Sequence, residues 1–280
     1  MNHTVRSLAL VAAFAAPLAA QTPSTDYATA MHAAHGKERP TATPMASIAP
    51  RAAVVGSEVT YGTIDGRPLK GYMARPATGG RNAPAIIVVH EWWGLNDNIK
   101  SVVDRYAGEG YVVLAVDLFG RVATTPDTAM VLYQTAMKNV PAGEKNLAAA
   151  VSYLKAQGAT KIGSVGYCFG GHWSLRTGLV GGRDINAVVM YYGAPITEAA
   201  QLSRLNAPVL GLFGGLDRGI PVDSVRAMER ALKGSGKTVT INVYADANHG
   251  FSNPSGQAYN AAAATDAWEK SLAFFRAQLR

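Results

Sequence analysis

From about residue 56 the chain alternates between two hydrophobic rhythms. Short apolar blocks rich in Val and Ile recur between longer stretches whose apolar positions fall three and four apart. The blocks predict strands at 85–89, 111–116, 161–165, 187–191, 208–213 and 239–244. The longer stretches predict helices at 97–108, from Thr125-Pro126 onward, and at 142–157, 168–178, 221–232 and 257–279. Asn96 or Asp97 suits the cap of the first helix. Pro126 suits a first helical position, and Trp268, Leu272, Phe275 and Leu279 mark one face of the last helix. Ahead of these, 57–61 and 69–74 form the arms of an antiparallel hairpin turning at Asp65-Gly66. Repeated strand–helix alternation implies one α/β domain over 54–280, with a mostly parallel central sheet covered by helices on both faces. In such sheets the chemistry gathers at the C-terminal ends of the strands.

The N-terminal region follows neither rhythm. Arg6, the apolar stretch 8–16, Pro17 and the small residues up to Ala20 have the layout of a secretory signal, which places the mature protein in the periplasm or outside the cell. Residues 21–53 are rich in Ala, Thr, Ser and Pro without a sustained period, and the expectation is a flexible leader outside the fold. His32 and His35 lie there three apart. Such a pair can touch a metal, but no third ligand is near in sequence, so both are expected to be ordinary leader residues.

Composition narrows the function classes. With 48% apolar and 16% charged residues, the chain has too much core material to be disordered. One cysteine excludes a disulfide framework and a cysteine-rich zinc module. The longest apolar run is too short to span a bilayer. The 26 Lys+Arg against 19 Asp+Glu leave a charge of +7. These basic residues are scattered without aromatic interleaving, which argues against nucleic acid as a partner. No cluster calls for a metal or a cofactor.

The candidate chemistry begins at Gly166-Tyr167-Cys168-Phe169-Gly170-Gly171, between a strand and a helix. This is the G-x-nucleophile-x-G elbow with Cys as the nucleophile. Small neighbours allow a tight turn that lifts the side chain from the strand tip, and the helix N-terminus beneath it favours a thiolate. The Phe169 amide would face a developing oxyanion. Three histidines remain once the signal and leader are set aside. His172 lies one turn beyond Cys168 and points away, and His90 ends a strand beside Glu91. In the chain order nucleophile, acid, histidine, His249 fits. Asp217, in the Gly-rich turn after 208–213, is the acid that would orient it. Asp223 sits inside a helix begun at Pro221, where an acid favours the helix dipole, and Asp246 is read as a turn residue.

Together with His90-Glu91-Trp92-Trp93-Gly94-Leu95-Asn96, Val116-Asp117-Leu118-Phe119-Gly120-Arg121, Tyr191-Tyr192-Gly193 and His249-Gly250-Phe251, this pattern resembles the dienelactone hydrolase family over roughly 56–279. The resemblance implies an α/β-hydrolase fold with a Cys168, His249, Asp217 triad and no cofactor. It implies that Glu91 contacts the cysteine and helps to generate the thiolate, and that the Trp92 amide is the second oxyanion donor. Trp93 and Phe251 would border the substrate, and Arg121 would grip a substrate carboxylate. The family's second arginine falls at Asn253 in this chain. The expected partner is a small ester or lactone, carboxylate-bearing ones included. A carboxylesterase acting on neutral esters is the alternative, and a non-catalytic binding protein is a more distant one.

Overall fold

The computed structural model describes residues 25–36, 48–79 and 83–280. The segment expected to be a secretory signal, residues 1–20, lies outside them. Among the described residues, eight strands form one sheet in the order β1-β2-β4-β3-β5-β6-β7-β8. β1 (Val54–Ile64) and β2 (Arg67–Pro76) make the expected hairpin, longer than its apolar cores because both strands continue as exposed ribbon. Asp65 and Gly66 both take positive φ at its turn, as a tight hairpin with right-handed twist requires. β2 then pairs antiparallel with β4 (Val112–Val116). From β4 through β3 (Ala85–Val89), β5 (Ile162–Tyr167), β6 (Ile185–Tyr191), β7 (Val209–Gly214) and β8 (Val239–Tyr244), every pairing is parallel. β3 and β5 are buried at every position, which is why their sequences are runs and not alternations.

The helices that follow the strands are α2 (Asp97–Gly108), α3 (Pro126–Lys138), α4 (Val140–Ala156), α5 (Phe169–Gly181), the short α6 (Ala199–Leu202), α7 (Val222–Gly234) and α8 (Ala261–Leu279). Asn96, Thr125, Asn139 and Asn260 cap α2, α3, α4 and α8 with side-chain oxygens. The Asn260 cap makes the last helix start later than its apolar period suggests. Successive residues of β5 show the two faces of the sheet. Gly163 leaves room for the Phe275 ring of α8, whereas Ser164 Oγ reaches Ser174 of α5 at 2.9 Å. α4 joins α5 on its face, where Gly143 makes space for the Trp173 ring. α2 meets α8 through Tyr106 and Trp268, whose ring centroids are 4.3 Å apart.

One segment departs from the expectation of a free leader. Thr25–His35 forms helix α1, which packs against α3 and over the C-terminal end of the sheet. Its buried residues Tyr27, Met31 and His35 are four apart and therefore share one helix face. Three residues on one face are enough to dock a short helix onto an existing surface, although too few to stand out as a period in an Ala-rich stretch.

Candidate active site

The elbow is set by backbone crowding. Cys168 sits between β5 and α5 with φ +55° and ψ −118°, in a region that L-residues rarely adopt. A Cβ on Gly166 would collide with the Gly170 carbonyl, and a Cβ on Gly170 would collide with the carbonyls of Val89 and His90. Glycine at these two places lets the start of α5 rest directly against the tip of β3. That contact brings the segment after β3, including Glu91 and Trp92, alongside the cysteine. Phe169 is the first residue of α5, so its amide has no acceptor within the helix.

His249 and Asp217 arrive from the two loops beyond β8 and β7. His249 Nδ1 lies 2.7 Å from Asp217 Oδ2. Asp217 Oδ1 accepts from the amides of Gly219 at 2.9 Å and Ile220 at 3.0 Å. The carboxylate is therefore held at both oxygens, and the imidazole donates through Nδ1. The other ring nitrogen is left to the sulfur: ligand-capable atoms of Cys168 and His249 lie within 4.8 Å of each other. Residues 168, 217 and 249, distant in sequence, thus meet at one end of the sheet, with exposures of 2%, 5% and 4%.

The electrostatics follow from this geometry. Burial alone would raise the Cys168 thiol, but the charge and hydrogen bond of His249, helped by His35, bring it down to about 6. Burial alone would lower His249. Cys168 and Asp217 outweigh that effect and hold its imidazolium well above the ordinary range. Burial would likewise raise Asp217, but the histidine's charge and the donated hydrogen bonds keep it below the usual carboxylate value. Both shifts favour a thiolate beside an imidazolium at neutral pH.

Glu91 is buried near this pair. Its Oε2 accepts from Asn253 Nδ2 at 2.8 Å, and its Oε1 accepts from Tyr192 at 3.4 Å. Asn253, at the family's second arginine position, is thus a neutral donor to the glutamate. Trp92 and Trp93 are both buried, with ring centroids 5.6 Å apart. Phe251 is fully buried among Tyr191, Tyr192 and Tyr244, which makes it a core residue in this structure and not a border of an open cleft. Arg121 is exposed. Its backbone packs under Gly94, whose positive φ and missing side chain allow the approach.

The two remaining folded-region histidines are structural. His90 Nε2 accepts from the Leu118 amide at 3.1 Å, so Nδ1 donates to the Glu91 carbonyl at 2.6 Å. His172 is fixed between the Ala194 carbonyl and Arg176, and burial with the nearby guanidinium lowers it to about 3. Asp223 is exposed in the first turn of α7, and Asp246 is exposed beside the Asn260 cap.

The largest departure from the sequence reading is the roof of the site. His35 stacks on Trp92 with centroids 5.2 Å apart and meets the His249 ring edge-on at 5.6 Å. Tyr27 reaches Cys168 with its hydroxyl and packs against Tyr133 of α3 at 6.0 Å. Met31 occupies the space over Gly219. His32, on another face of the helix, pairs with Asp127 of α3 at 3.0 Å. The spacing of Tyr27, Met31 and His35 was the available signal for this helix.

Comparison with known proteins places this geometry. The model of the dienelactone hydrolase family matches residues 69–279. The chain belongs to the dienelactone hydrolase family. It is 34% identical over 242 residues to a protein named "Putative carboxymethylenebutenolidase" from Methylorubrum extorquens, covering 80% of this chain and 81% of that one. It is 33% identical over 227 residues to "Protein usf" from Aquifex pyrophilus, covering 77% of this chain and 96% of that one. The crystal structure of a protein named "Putative Dienelactone Hydrolase" from Klebsiella pneumoniae superposes with TM-score 0.72 at 29% identity, over 80% of this chain and 99% of that one. The matched span of this dienelactone hydrolase family member holds Glu91, Cys168, Asp217 and His249. It begins after α1 and therefore omits His35.

Proposed function

We propose that this chain hydrolyses small carboxylic esters and lactones through a Cys168 thioester. The sulfur attacks the carbonyl carbon, and the Phe169 and Trp92 amides receive the oxyanion. As the tetrahedral adduct collapses, the C–O bond breaks and the His249 imidazolium gives its proton to the departing alkoxide. The neutral imidazole then takes a proton from water, and the resulting hydroxide attacks the thioester. Collapse of the second adduct expels the thiolate and releases the acid, and the proton remains on His249. Asp217 holds the ring in the required orientation and stabilises its charge in both halves. A thiolate is a weaker base than an alkoxide, so esters and lactones with good leaving groups suit it better than amides.

The observation that carries this reading is the alignment of Cys168, His249 and Asp217, with the 2.7 Å contact between the latter two. The test is a panel of small esters and lactones with Cys168→Ala as control. Loss of turnover by several orders of magnitude in a folded variant supports the role, and retained activity removes Cys168 from the mechanism. A neutral-ester preference is the second reading, favoured by Asn253 at the second arginine position and by the exposed Arg121. A tenfold or greater advantage of a neutral aryl ester over a carboxylate-bearing lactone would establish it. We place the mature protein in the periplasm or outside the cell, on the strength of the first twenty residues. N-terminal sequencing of the protein recovered from each compartment tests that placement.

A further inference from the structure

Three buried side chains from distant segments converge under α1. His35 comes from that helix, Cys168 from the elbow and His249 from the loop beyond β8. One donor atom from each lies within 4.8 Å of the other two. Around a tetrahedral zinc, with Zn–S about 2.3 Å and Zn–N about 2.0–2.1 Å, sulfur and nitrogen donors sit about 3.3–3.6 Å apart. A closure of at most about 1.5 Å, within reach of side-chain rotation, therefore brings the set to that geometry.

We propose that His35, Cys168 and His249 form a site for a thiophilic divalent cation of the zinc class, and that the bound ion latches helix α1 over the triad. One thiolate and two imidazoles select a borderline-soft ion over magnesium or calcium, which prefer oxygen donors. The surroundings fit as well. His249 donates Nδ1–H to Asp217, itself fixed by two backbone amides, and this carboxylate–histidine arrangement orients a metal-bound imidazole. Nε2 of His249 is buried and finds no oxygen or nitrogen partner, so it is directed to the sulfur side. The His35 ring is fixed in plane by stacking on Trp92. Binding replaces the His249 proton, which passes to solvent, and the thiolate becomes a ligand. Because the ion occupies the sulfur and the nitrogen assigned to ester hydrolysis, cation and ester exclude each other. That last consequence rests on the function proposed above, whereas the binding site itself does not.

The test uses the full chain, reduced and stripped with EDTA, and titrates it with Co2+. The expected result is one ion per chain, a thiolate-to-cobalt charge-transfer band, visible bands of tetrahedral intensity, and displacement by Zn2+. His35→Gln keeps the side chain polar but removes a good ligand. It should weaken Zn2+ binding by more than about 100-fold, beyond what loss of an outer-shell partner causes. It should also raise the Zn2+ concentration needed to inhibit ester hydrolysis. Absence of the charge-transfer band in the unmodified chain overturns the proposal, and that measurement does not depend on any variant folding. Binding by His35→Gln within threefold of the parent also overturns it, since α1 would then not be latched. If cobalt binds as described but no ester is hydrolysed, the proposed function fails and the cation site stands. The reverse outcome removes the cation site alone.

Discussion

The ionisation of Cys168 provides the sharpest quantitative prediction. Bringing a thiol from its ordinary 9.0 to about 6 corresponds to about 4 kcal/mol in favour of the charged form. At pH 7 a thiol titrating near 6 is about nine-tenths ionised, and one titrating near 9 is about one-hundredth ionised. Alkylation by iodoacetamide reports this directly, because the thiolate is the reacting species. The midpoint of the rate–pH profile is the quantity to read. The absolute rate also depends on how often α1 exposes the sulfur, whereas the midpoint depends on the ionisation. The parent profile should have its midpoint near 6. Asp217→Asn retains the size of the side chain but removes the charge that sustains the His249 imidazolium, and it should move the midpoint upward. A parent midpoint between 8 and 9 would refute the ion-pair reasoning. An Asp217→Asn profile identical to the parent would show that the carboxylate only positions the ring. The sign for stability follows the same direction. The depressed thiol contributes stability that is fully present above its unfolded value and is lost as pH falls through about 6.

Three further outcomes are expected. Gly170→Ala forces a methyl group into the carbonyls of Val89 and His90, and the overpacking should cost about 1–3 kcal/mol. A lowered Tm checks it, and an unchanged Tm would mean that β3 and α5 separate easily. Asn253→Ala removes the donor to Glu91 Oε2 and should destabilise the fold by about 0.5–1.5 kcal/mol through loss of that hydrogen bond. Urea denaturation measures the loss, which should shrink in Glu91→Ala as background, where the acceptor is gone. Arg121→Ala should raise KM for a carboxylate-bearing lactone more than for a neutral aryl ester, and equal changes for both would remove a carboxylate clamp at this position.

Much of the architecture was legible because its signals are local. A buried parallel strand must be apolar on both faces, so 85–89 appears as a run with the boundaries the fold gives it. Helix starts are marked by a side chain that satisfies a free amide, as at Asn96 and Thr125. The elbow was equally readable, because only small residues permit its turn. Chain order at the strand ends then selected Asp217 and His249, since parallel topology delivers those loops to one edge.

What the tertiary structure decided lies where partners are far apart in the chain. Nothing local indicates that Tyr27, Met31 and His35 face an active site more than a hundred residues downstream, because a short helix gains its stability from the surface it covers. The same holds for Phe251, which is enclosed by tyrosines from β6 and β8. It holds also for Glu91, which accepts hydrogen bonds from Tyr192 and Asn253, both far away in the chain. Sequence by itself determined the fold class and the three groups brought together at the sheet edge, because backbone periodicity and turn sterics are properties of neighbouring residues. The roof over those groups and the polar partners around them required the folded chain, because burial and contact are properties of residues that meet only in space.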